Sequence, residues 1–449
     1  MKLEGKKVLI VGAGKSGLAA ARFLSSKKAQ AVMTDVNRSV NLARAITELG
    51  VIPVLGQYPP VEKNSFDLVV VSPGVPLTVP PVAKAYKVNI PVIGELELAY
   101  RFAAAPMVAI TGTNGKTTTT TLVGEIFKDS GQKTLVAGNI GFPLVTEVEK
   151  YGAQDIIVAE VSSFQLETIE KFRPKVAVIL NITPDHLDRH GNMENYITAK
   201  ANIFKNQGRA DYTVLNFDDP LTKRLAKLVP GKVIFFSRKH ILDRGVFVRN
   251  KQIVVRQEGS EQVICPVGDI KIPGGHNLEN ALAATAAVTV LGVKPQNLAH
   301  TLKTFPGVEH RLEFVAEIGG VRYINDSKGT NPDASIKALE AYQEPIVLIA
   351  GGRNKGSDFT EFLQKAKNKV RTIVILGECA EELQKTARAV GFNEIIRAKD
   401  FTEAVTMAGK AAHPGDIVLL SPACASWDMF KNYEERGRLF KEIVQGLRG

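Results

Sequence analysis

Residues 111–118 read TGTNGKTT and hold the residue types that bind a nucleoside triphosphate. Glycines such as Gly112 and Gly115 allow the backbone to turn its N–H groups toward phosphate oxygens. Lys116 can place a positive charge on the β- and γ-phosphates, and the Thr117 hydroxyl can bind Mg²⁺. A strand-like run precedes the segment and a helical pattern follows it, so a helix N-terminus would add positive potential. The pattern predicts an ATP-binding phosphate loop.

This loop is shorter than the standard Walker pattern. That pattern has a glycine five residues before Gly115, and Ile110 occupies the position here. The alternative is a glycine-rich turn with an incidental lysine. The strand before, the helix after and the GKT triplet in register favour the phosphate loop. We assign to the nucleotide site Gly112, Asn114, Gly115, Lys116, Thr117 and Thr118.

Two further strand-like runs end in residues suited to metal or acid–base chemistry. One ends at Glu160, and the other continues into Asp185 and His186. Ligands of an open parallel sheet bind at the carboxyl ends of its strands, so we expect these exits to converge on the phosphate loop. A carboxylate and an imidazole there would provide a second Mg²⁺ site or a general base. Lys200 lies on a later helical pattern and, from the residues alone, is a surface lysine.

A second glycine-rich motif, GAGKSG at 12–17, follows the first strand-like run. Asp35 ends the next run, at the distance usual for a ribose contact. In isolation the motif would indicate NAD. Because the ATP machinery lies in another block and no hydride-transfer site is evident, we favour a non-redox nucleotide bound by its diphosphate.

Strand-like runs alternate with helical patterns along all 449 residues, which indicates parallel sheets with crossover helices. We predict an α/β protein of three domains, each with a mostly parallel sheet and flanking helices. Rossmann-like N- and C-terminal domains would flank a central ATPase-like domain that carries the phosphate loop. The predicted limits are 1–96, 97–304 and 305–449. Runs between 235 and 272 suggest short antiparallel strands.

Composition excludes several classes of protein. The net charge of +11, from 57 Lys plus Arg against 46 Asp plus Glu, is spread without a basic block, so we expect no nucleic-acid partner. No apolar run is long enough to span a bilayer, and no secretory pattern opens the chain, which predicts a cytoplasmic location. Cys265, Cys379 and Cys424 are far apart in sequence and lack metal-ligand spacing, which argues against a disulfide framework or zinc site.

The chain resembles the Mur ligase family over essentially its whole length. The resemblance is carried by GTNGKTTTT (112–120), EVSSFQLE (160–167), NITPDHLDRH (181–190), GGHNLENALAA (274–284), GVEHRLE (307–313), NDSKGTNP (325–332) and SPACASWDMFKNYEERG (421–437). The last two motifs favour the family member that adds D-glutamate. The implied substrates are ATP, UDP-N-acetylmuramoyl-L-alanine and D-glutamate, and the expected protein is a monomer.

The implied reaction belongs to peptidoglycan precursor synthesis. ATP phosphorylates the substrate carboxylate, and the amine of D-glutamate attacks the acyl phosphate to give an amide, ADP and phosphate. Positioning and cationic charge would supply most of the catalysis. The resemblance implies two Mg²⁺ ions, with Thr117 and Glu160 near the first and His186 a ligand of the second. It also implies that Lys200 is carbamylated, so that a cation becomes a carboxylate beside the metal.

The resemblance extends to the other binding residues. Lys116, His186 and Lys200 would be catalytic, and the adenosine contacts would be Asn280, Arg311 and Asp326. The residues implied for the UDP-sugar are Gly14, Ser16, Asp35, Gly74 and Asn139. Those implied for D-glutamate are Thr330, Lys355, Ser426, Trp427 and Tyr433, and Ser162 and Lys328 complete the substrate set. Trp427 and Tyr433 could equally pack on an amphipathic helix.

One departure and three alternatives remain. Family members carry Arg two residues after the first-domain Asp, whereas here Asn37 holds that position and Arg38 follows. The first alternative is a relative that adds another amino acid, or adds glutamate to folate. The second is a regulatory ATPase or nucleotide-binding scaffold without ligation. The third is an NAD-dependent oxidoreductase.

Overall fold

A computed structural model describes residues 1–257 and 259–447, which form two compact units. The first unit comprises Met1–Ile182, Arg189–Cys265 and Ala281–Thr301. The second comprises Thr183–Asp188, Pro266–Asn280 and the chain from Leu302 onward. Within the described residues, no helix combines the length and apolar character that crossing a membrane requires.

The first sheet has five parallel strands in the order β3-β2-β1-β4-β5. Its elements are β1 (Lys7–Val11), α1 (Lys15–Ser26), β2 (Gln30–Asp35), α2 (Val40–Glu48), β3 (Ile52–Leu55), β4 (Leu68–Val71), α3 (Pro80–Lys87) and β5 (Val92–Gly94). The four residues of β4, LVVV, are all buried, as expected for a strand covered on both faces. From β1 the strands β2 and β3 are added toward one edge of the sheet, and β4 and β5 toward the other. Sheets of this kind form a ligand crevice at the point where the strand order switches, here between β1 and β4.

The central sheet has nine strands in the order β14-β13-β12-β11-β10-β9-β6-β8-β7. Its elements are α4 (Glu95–Tyr100), β6 (Met107–Thr111), α5 (Lys116–Asp129), β7 (Thr134–Gly138), β8 (Ile156–Glu160), α6 (Ser163–Leu166), β9 (Val176–Ile179), α7 (Leu187–His190), α8 (Met193–Ala201), β10 (Tyr212–Asn216), α9 (Pro220–Leu225), β11 (Lys232–Ser237), β12 (Gly245–Arg249), β13 (Gln252–Gln257), β14 (Ser260–Pro266), α10 (Gly275–Thr289) and α11 (Pro295–Thr304). Single turns of 3₁₀-helix lie at Leu144–Thr146, Val148–Lys150, Asn202–Phe204, Ala226–Leu228 and Val267–Asp269.

The antiparallel pairing predicted between 235 and 272 is wrong at its first strand. β11 pairs parallel with both β10 and β12, and antiparallel pairing is found between β12 and β13. β12 overlaps only the end of β11, with Phe235 opposite Gly245 and Ser237 opposite Phe247. Because β12 starts beside Phe235, close to the end of β11, the connection 238–244 has only a short distance to return along the strand. The parallel pair therefore forms without a crossover helix.

The third sheet lies in the second unit and has six strands in the order β15-β16-β20-β17-β18-β19. Its elements are β15 (Glu313–Ile318), β16 (Val321–Asn325), α12 (Pro332–Glu340), β17 (Ile346–Gly351), α13 (Thr360–Ala366), β18 (Val370–Leu376), α14 (Ala380–Ala389), β19 (Ile395–Arg397), α15 (Phe401–Ala411), β20 (Ile417–Leu420) and α16 (Tyr433–Gly446). The β15–β16 pair is antiparallel and the other pairs are parallel.

The three sheets confirm the predicted three-block α/β architecture, and the domain limits stay predictions. The proposed limit at 96/97 falls inside α4, and the one at 304/305 falls at the end of α11. Cys265, Cys379 and Cys424 are all buried. Their separation in sequence is misleading, however, because the sulfurs of Cys379 and Cys424 lie 3.1 Å apart.

Glu95, the first residue of α4, is a fully buried carboxyl. Its Oε1 accepts a hydrogen bond of 2.7 Å from the Val145 N–H, and its Oε2 has no hydrogen-bond partner in the described part of the chain. Desolvation raises the Glu95 pKa from 4.5 to about 7, against the lowering effect of the Val145 N–H. The folded protein therefore retains a proton on Glu95 that the unfolded chain loses at lower pH.

The substitution Glu95→Gln is expected to flatten the dependence of stability on pH. Between pH 4.5 and about 7 the native state binds more protons than the unfolded chain, so stability falls as pH rises. By pH 8 this costs the wild-type protein about 3 kcal/mol, a cost that a neutral amide removes. Thermal denaturation at pH 5 and pH 8 measures the difference, with Glu62→Gln, at an exposed position, as the control. Parallel pH profiles for wild type and Glu95→Gln would contradict the prediction.

Candidate active site

The phosphate loop leaves the buried strand β6 and enters α5, as predicted. Gly112 and Gly115 adopt positive φ angles of 152° and 86°, in the region that favours glycine. A Cβ atom at Gly112 would lie 3.0 Å from the Leu180 Cβ, so the loop also needs glycine for close packing. Gly115 caps α5 without a side-chain hydrogen bond, and the first turn of α5 has no acidic residue. The loop therefore presents main-chain N–H groups and a helix N-terminus to an anion.

Asn181, at the exit of the neighbouring strand β9, fixes the tip of this loop. Its side chain accepts a hydrogen bond of 2.9 Å from the Asn114 N–H and donates one of 3.0 Å to the Asn114 carbonyl. Its main-chain carbonyl accepts another, of 3.0 Å, from the Thr113 N–H. These three bonds hold the tip of the loop in its observed conformation. Asn181 begins the NITPDH motif but was not among the predicted site residues.

Two lysine amines meet at the carbonyl oxygen of Gly112. The Lys116 Nζ donates to it at 3.0 Å and to the Thr113 carbonyl at 2.7 Å. The Lys200 Nζ donates to the same Gly112 oxygen at 2.8 Å and lies 4.5 Å from the centre of the Tyr196 ring. Lys200 is only 1% exposed, so the expectation of a surface lysine is wrong. Its helix, α8, packs Tyr196 and Ile197 into the core and carries the lysine inside with them.

Glu160 lies at the same edge of the central sheet, at the end of β8 and opposite Ile110 of β6. The carboxylate is 2% exposed, and its Oε1 accepts a hydrogen bond of 2.8 Å from the Asn139 side chain. Its Oε2 is buried and has no hydrogen-bond partner among the described residues. A buried carboxylate oxygen left in this state costs free energy unless a cation or donor reaches it. A carboxylate oxygen such as Glu160 Oε2 and a hydroxyl such as that of Thr117, in the first turn of α5, are the types of ligand that Mg²⁺ prefers.

Asp185 and His186 follow β9 in the chain and belong to the second unit. His186 adopts a φ of 53°, a left-handed conformation that is uncommon for a residue other than glycine and recurs at functional sites. Its N–H donates to Asp185 Oδ1 at 3.0 Å, and Lys355 Nζ lies 3.5 Å from the same oxygen. The second unit therefore places His186, a predicted metal ligand, beside an acid–lysine pair.

A pocket of about 340 Å³ lies where the loops of the first sheet meet those of the central sheet. Five sequence-predicted residues line it, namely Gly14, Ser16, Asp35, Gly74 and Asn139. Lys15, Ser72, Gly141 and Gln165 also line it and were not selected from the sequence. Ser162 does not line this pocket, but it caps α6 reciprocally with Gln165, which does. Residues of the GAGKSG loop and Asn139 thus line one pocket.

Asn37 and Arg38, which depart from the family pattern, lie next to Asp35 in the first domain. Asp35 accepts hydrogen bonds from the Ala13 N–H at 2.6 Å and the Asn37 N–H at 2.8 Å. Arg38 crosses Gly56 and donates to its carbonyl at 3.1 Å. A Cβ at Gly56 would lie 2.1 Å from the Arg38 Nε, so this placement of Arg38 requires glycine at 56.

Arg311 and Asp326, both predicted nucleotide contacts, form a pair in the second unit. The Arg311 guanidinium donates to Asp326 Oδ1 at 3.2 Å, and the Ser421 hydroxyl donates to Oδ2 at 2.8 Å. Burial raises the Asp326 pKa above its usual value, and the charge of Arg311 opposes the shift. Asn280, in the same unit, is 4% exposed and donates to the Asn277 side chain at 3.1 Å. Arg311 therefore compensates the charge of the buried Asp326 carboxylate.

The predicted D-glutamate residues lie after three strands of the third sheet: Thr330 after β16, Lys355 after β17, and Ser426 and Trp427 after β20, with Tyr433 the first residue of α16. Lys328 Nζ donates to the Tyr433 hydroxyl at 3.0 Å, while Thr330 follows two residues after Lys328 and Ser426 is 2% exposed. Trp427 is 60% exposed in the turn before α16, so packing on a helix is wrong for this side chain.

Arg436, which sequence analysis missed, is almost completely buried beneath these loops. Its guanidinium donates to the Ser327 hydroxyl at 3.0 Å and to the Ser327 carbonyl at 2.8 Å, and it also reaches the Cys424 carbonyl at 3.3 Å. It thereby ties together the segments that carry Lys328 and Ser426. Burial lowers the Arg436 pKa to about 10, so the guanidinium remains charged at neutral pH.

Comparison with known proteins decides the family. Three family models match successive parts of the chain: a Mur ligase MurD-like N-terminal domain at 6–94, a Mur ligase middle domain at 110–288 and a Mur ligase glutamate ligase domain at 310–424. The UDP-N-acetylmuramoylalanine–D-glutamate ligase of Pelotomaculum thermopropionicum is 61% identical over 99% of this chain and 98% of its own length. The chain belongs to the Mur ligase family. The resemblance predicted from the motifs is thus confirmed.

Other Mur ligases extend the comparison. The protein of the same name from Clostridioides difficile is 47% identical over the full length of both chains. The UDP-N-acetylmuramate–alanine ligase of Thermotoga maritima shares the fold with a TM-score of 0.61, at 20% identity over 98% of this chain and 99% of its own. The MurF ligase of the same organism, solved with ADP, has a TM-score of 0.61 at 16% identity, over 93% of this chain and 95% of its own. The three-domain α/β fold is therefore that of Mur ligases.

Proposed function

We propose that this Mur ligase joins D-glutamate to UDP-N-acetylmuramoyl-L-alanine at the expense of ATP, in cytoplasmic peptidoglycan precursor synthesis. The observation that carries the proposal is full-length identity of 61% to a ligase with that name. The phosphate loop, with Lys116, Lys200 and Glu160 at one edge of the central sheet, supports it. The enzyme acts as a monomer.

The ATP site is proposed at the phosphate loop. Gly112, Asn114, Gly115, Thr117 and Thr118 would surround the β- and γ-phosphates with N–H and hydroxyl groups, and Lys116 would move its amine from the loop carbonyls to a phosphate oxygen. Asn280, Arg311 and Asp326 would contact the adenosine end of the nucleotide.

Two Mg²⁺ sites are proposed. Thr117 and Glu160 would hold the first ion, and the orphaned Glu160 Oε2 supports this assignment. His186 and a carbamate on Lys200 would hold the second. Mg²⁺ at these positions supplies positive charge for the transferring phosphoryl group and the substrate carboxylate. A carbamate on Lys200 would replace a buried ammonium group with a buried anion that can bind a metal cation.

The reaction proceeds in two steps, phosphoryl transfer followed by acyl transfer. An oxygen of the L-alanyl carboxylate attacks the γ-phosphorus of ATP, which releases ADP and forms an acyl phosphate. The amine of D-glutamate then attacks the acyl carbon, the tetrahedral intermediate expels phosphate, and the amine loses one proton. Lys116 orients the phosphate and offsets its charge, while the pocket of Gly14, Ser16, Asp35, Gly74 and Asn139 positions the UDP-sugar, with Ser162 supporting its wall.

The D-glutamate site is proposed in the third domain. Lys355 and Ser426 suit the carboxylates of the amino acid. Lys328 and Thr330 follow β16, and the Lys328 amine donates to the hydroxyl of Tyr433, at the start of α16. Trp427, exposed in its turn, would contribute its main-chain N–H.

A coupled assay tests the function. Purified protein with ATP, Mg²⁺ and UDP-N-acetylmuramoyl-L-alanine is expected to release ADP when D-glutamate is added, and to remain near background with L-glutamate, L-alanine or a diamino acid. Release of ADP at the same rate without either co-substrate would instead favour a regulatory ATPase. A change in nicotinamide absorbance with NAD would favour the oxidoreductase. Mass spectrometry of the product identifies the new amide.

A further inference from the structure

Two cysteine side chains, Cys379 and Cys424, meet in the interior of the second unit. Their sulfur atoms lie 3.1 Å apart, and the residues are 5% and 1% exposed. Two thiolates bound to one tetrahedral zinc ion lie about 3.8 Å apart, given a Zn–S distance of about 2.3 Å, so the cysteines are too close for a shared metal. An approach of about 1 Å would bring the sulfurs to the length of a disulfide bond. The geometry therefore favours a bond between the two sulfurs.

The pair connects loops at the ends of neighbouring strands of the third sheet. Cys379 lies between β18 and α14, and Cys424 follows β20, two residues before Ser426. Both cysteines pack against Gly352, directly after β17. The Gly352 carbonyl accepts a hydrogen bond of 3.0 Å from the Cys379 N–H, and a Cβ at Gly352 would lie 3.2 Å from the Cys424 Cβ. The cysteines thus adjoin the loops that carry Ser426 and Lys355, both proposed to bind D-glutamate.

The main chain on both sides of Cys424 is fixed by hydrogen bonds. The Ala425 N–H donates to the Arg353 carbonyl at 3.0 Å, and the Arg353 N–H donates to the Ala425 carbonyl at 2.9 Å. On the other side, the Ala423 N–H donates to the Gly329 carbonyl at 3.0 Å. Arg353 and Gly329 lie in the loops of two other residues proposed for D-glutamate. A displacement of Cys424 is therefore passed to all the loops of that site.

A cavity of about 370 Å³ beside Cys379 can admit a small oxidant. Gly377, Glu378 and Ala380, which flank Cys379 in the chain, line this cavity. The hydrogen bond with Cys379 and burial raise the pKa of the Cys424 thiol well above its usual value, so this thiol keeps its proton at neutral pH. Because thiolates are the reactive form of cysteine, Cys379 is the first of the two to react.

We propose that Cys379 and Cys424 form a reversible disulfide when the protein meets a hydroperoxide, and that this bond weakens the binding of D-glutamate. With hydrogen peroxide, the Cys379 sulfur attacks one oxygen, the O–O bond breaks, one water leaves and a sulfenic acid remains. The Cys424 sulfur then attacks the sulfenic sulfur and expels its hydroxyl group, which takes the Cys424 proton and leaves as a second water. Two thiols are oxidised and one peroxide is reduced. The effect on D-glutamate rests on the proposed function.

Peptide mapping of the full-length protein tests formation of the bond. After a small excess of hydrogen peroxide, and alkylation in denaturant, the wild-type protein is expected to yield a peptide pair linked through Cys379 and Cys424. Dithiothreitol should separate the two peptides. Cys265, which is also buried, is the internal control and should be alkylated as in untreated protein. The proposal is wrong if both cysteines remain alkylatable, or if either is converted to a sulfinic acid without a linked pair.

Kinetics of the oxidised enzyme test the consequence. The KM for D-glutamate is expected to rise about 10-fold or more, with the KM values for ATP and UDP-N-acetylmuramoyl-L-alanine nearly unchanged, and dithiothreitol should reverse the effect. Cys379→Ala, or Cys379→Ser if the smaller side chain impairs folding, should keep the KM of the reduced wild type and not respond to peroxide. Cys265→Ala is the matched control and should respond as the wild type does. A linked pair with an unchanged KM for D-glutamate would overturn the proposal, as would an equal response of the Cys379 variant.

Two further results separate this effect from general damage and from an error in the proposed function. Oxidised protein should denature at no lower a temperature than reduced protein, because the cross-link constrains the unfolded chain. A lower denaturation temperature with equal changes in all three KM values would overturn the proposal in favour of damage. If reduced wild-type protein releases no ADP in response to D-glutamate, the proposed function is refuted, and with it the effect on D-glutamate. The peptide map would still decide whether the disulfide forms.

Discussion

The substitution Lys200→Ala is expected to reduce D-glutamate-dependent ADP release by about 10²- to 10³-fold. Lys200 is 1% exposed and its amine lies 2.8 Å from the Gly112 carbonyl, at the centre of the proposed ATP site. If the amine carries a carbamate, the lost group is an anionic metal ligand fixed in a desolvated position. Water entering the cavity left by alanine cannot supply that charge.

A small carboxylic acid should restore part of the lost activity. The cavity left by the side chain can admit acetate or formate, whose carboxylate replaces that of the carbamate. We expect the rate of Lys200→Ala to rise with acetate concentration and to saturate, whereas wild type should not respond. Intact-protein mass spectrometry under added CO₂ should detect one bound CO₂ in wild type and none in the variant.

The matched control is Lys205→Ala. Lys205 follows α8, and its amine also donates to a main-chain carbonyl, that of Ile169 at 2.9 Å, but its side chain is exposed. This variant should retain nearly full activity. The carbamate proposal is wrong if Lys200→Ala keeps most of its activity without added acid. It is also wrong if a folded Lys200→Ala, judged by its denaturation temperature, gains nothing from acetate or formate.

The phosphate loop shows how far local sequence determines a site. The geometry of a βα turn depends on a few neighbouring residues, and the positive φ angles of Gly112 and Gly115 follow from their lack of a Cβ. The meeting of two strand ends could likewise be anticipated, because adjacent parallel strands bring their carboxyl ends together. Ile110, near the end of β6, lies opposite Glu160 at the end of β8. The position of Asp35 at the end of β2 could be predicted in the same way, from the strand pattern around it.

Other features depend on contacts between residues distant in sequence. The burial of Lys200 results from packing of α8 on the core, and nothing in the surrounding residues distinguishes it from a surface lysine. Arg436 contacts Ser327, more than a hundred residues earlier in the chain. The bond from Lys15 to the Gly141 carbonyl depends on how the first two sheets meet. In each case a polar group acquires its role from a partner that only the folded chain provides.

The substitution Lys116→Met is expected to reduce kcat/KM for ATP by about 10²- to 10³-fold, chiefly through kcat. In the structure the Lys116 amine donates hydrogen bonds to the Gly112 and Thr113 carbonyls, 3.0 and 2.7 Å away, which hold it over the loop. Bound phosphates offer stronger acceptors, and charge on the γ-phosphate oxygens changes most in the transition state of phosphoryl transfer. The amine should therefore stabilise the transition state more than the bound nucleotide.

Separate measurements of binding and turnover test this division of roles. Calorimetric titration with a non-hydrolysable ATP analogue should show a loss of affinity for Lys116→Met that is smaller than the loss in kcat. Lys128→Met is the control, because Lys128 lies on the same helix, is exposed and pairs with Glu125 at 2.8 Å. A variant that retains more than about a tenth of the wild-type kcat would contradict the role assigned to Lys116. If affinity and kcat/KM instead fall equally while kcat is preserved, the lysine serves to bind ATP, and the loop itself carries the stabilisation of phosphoryl transfer.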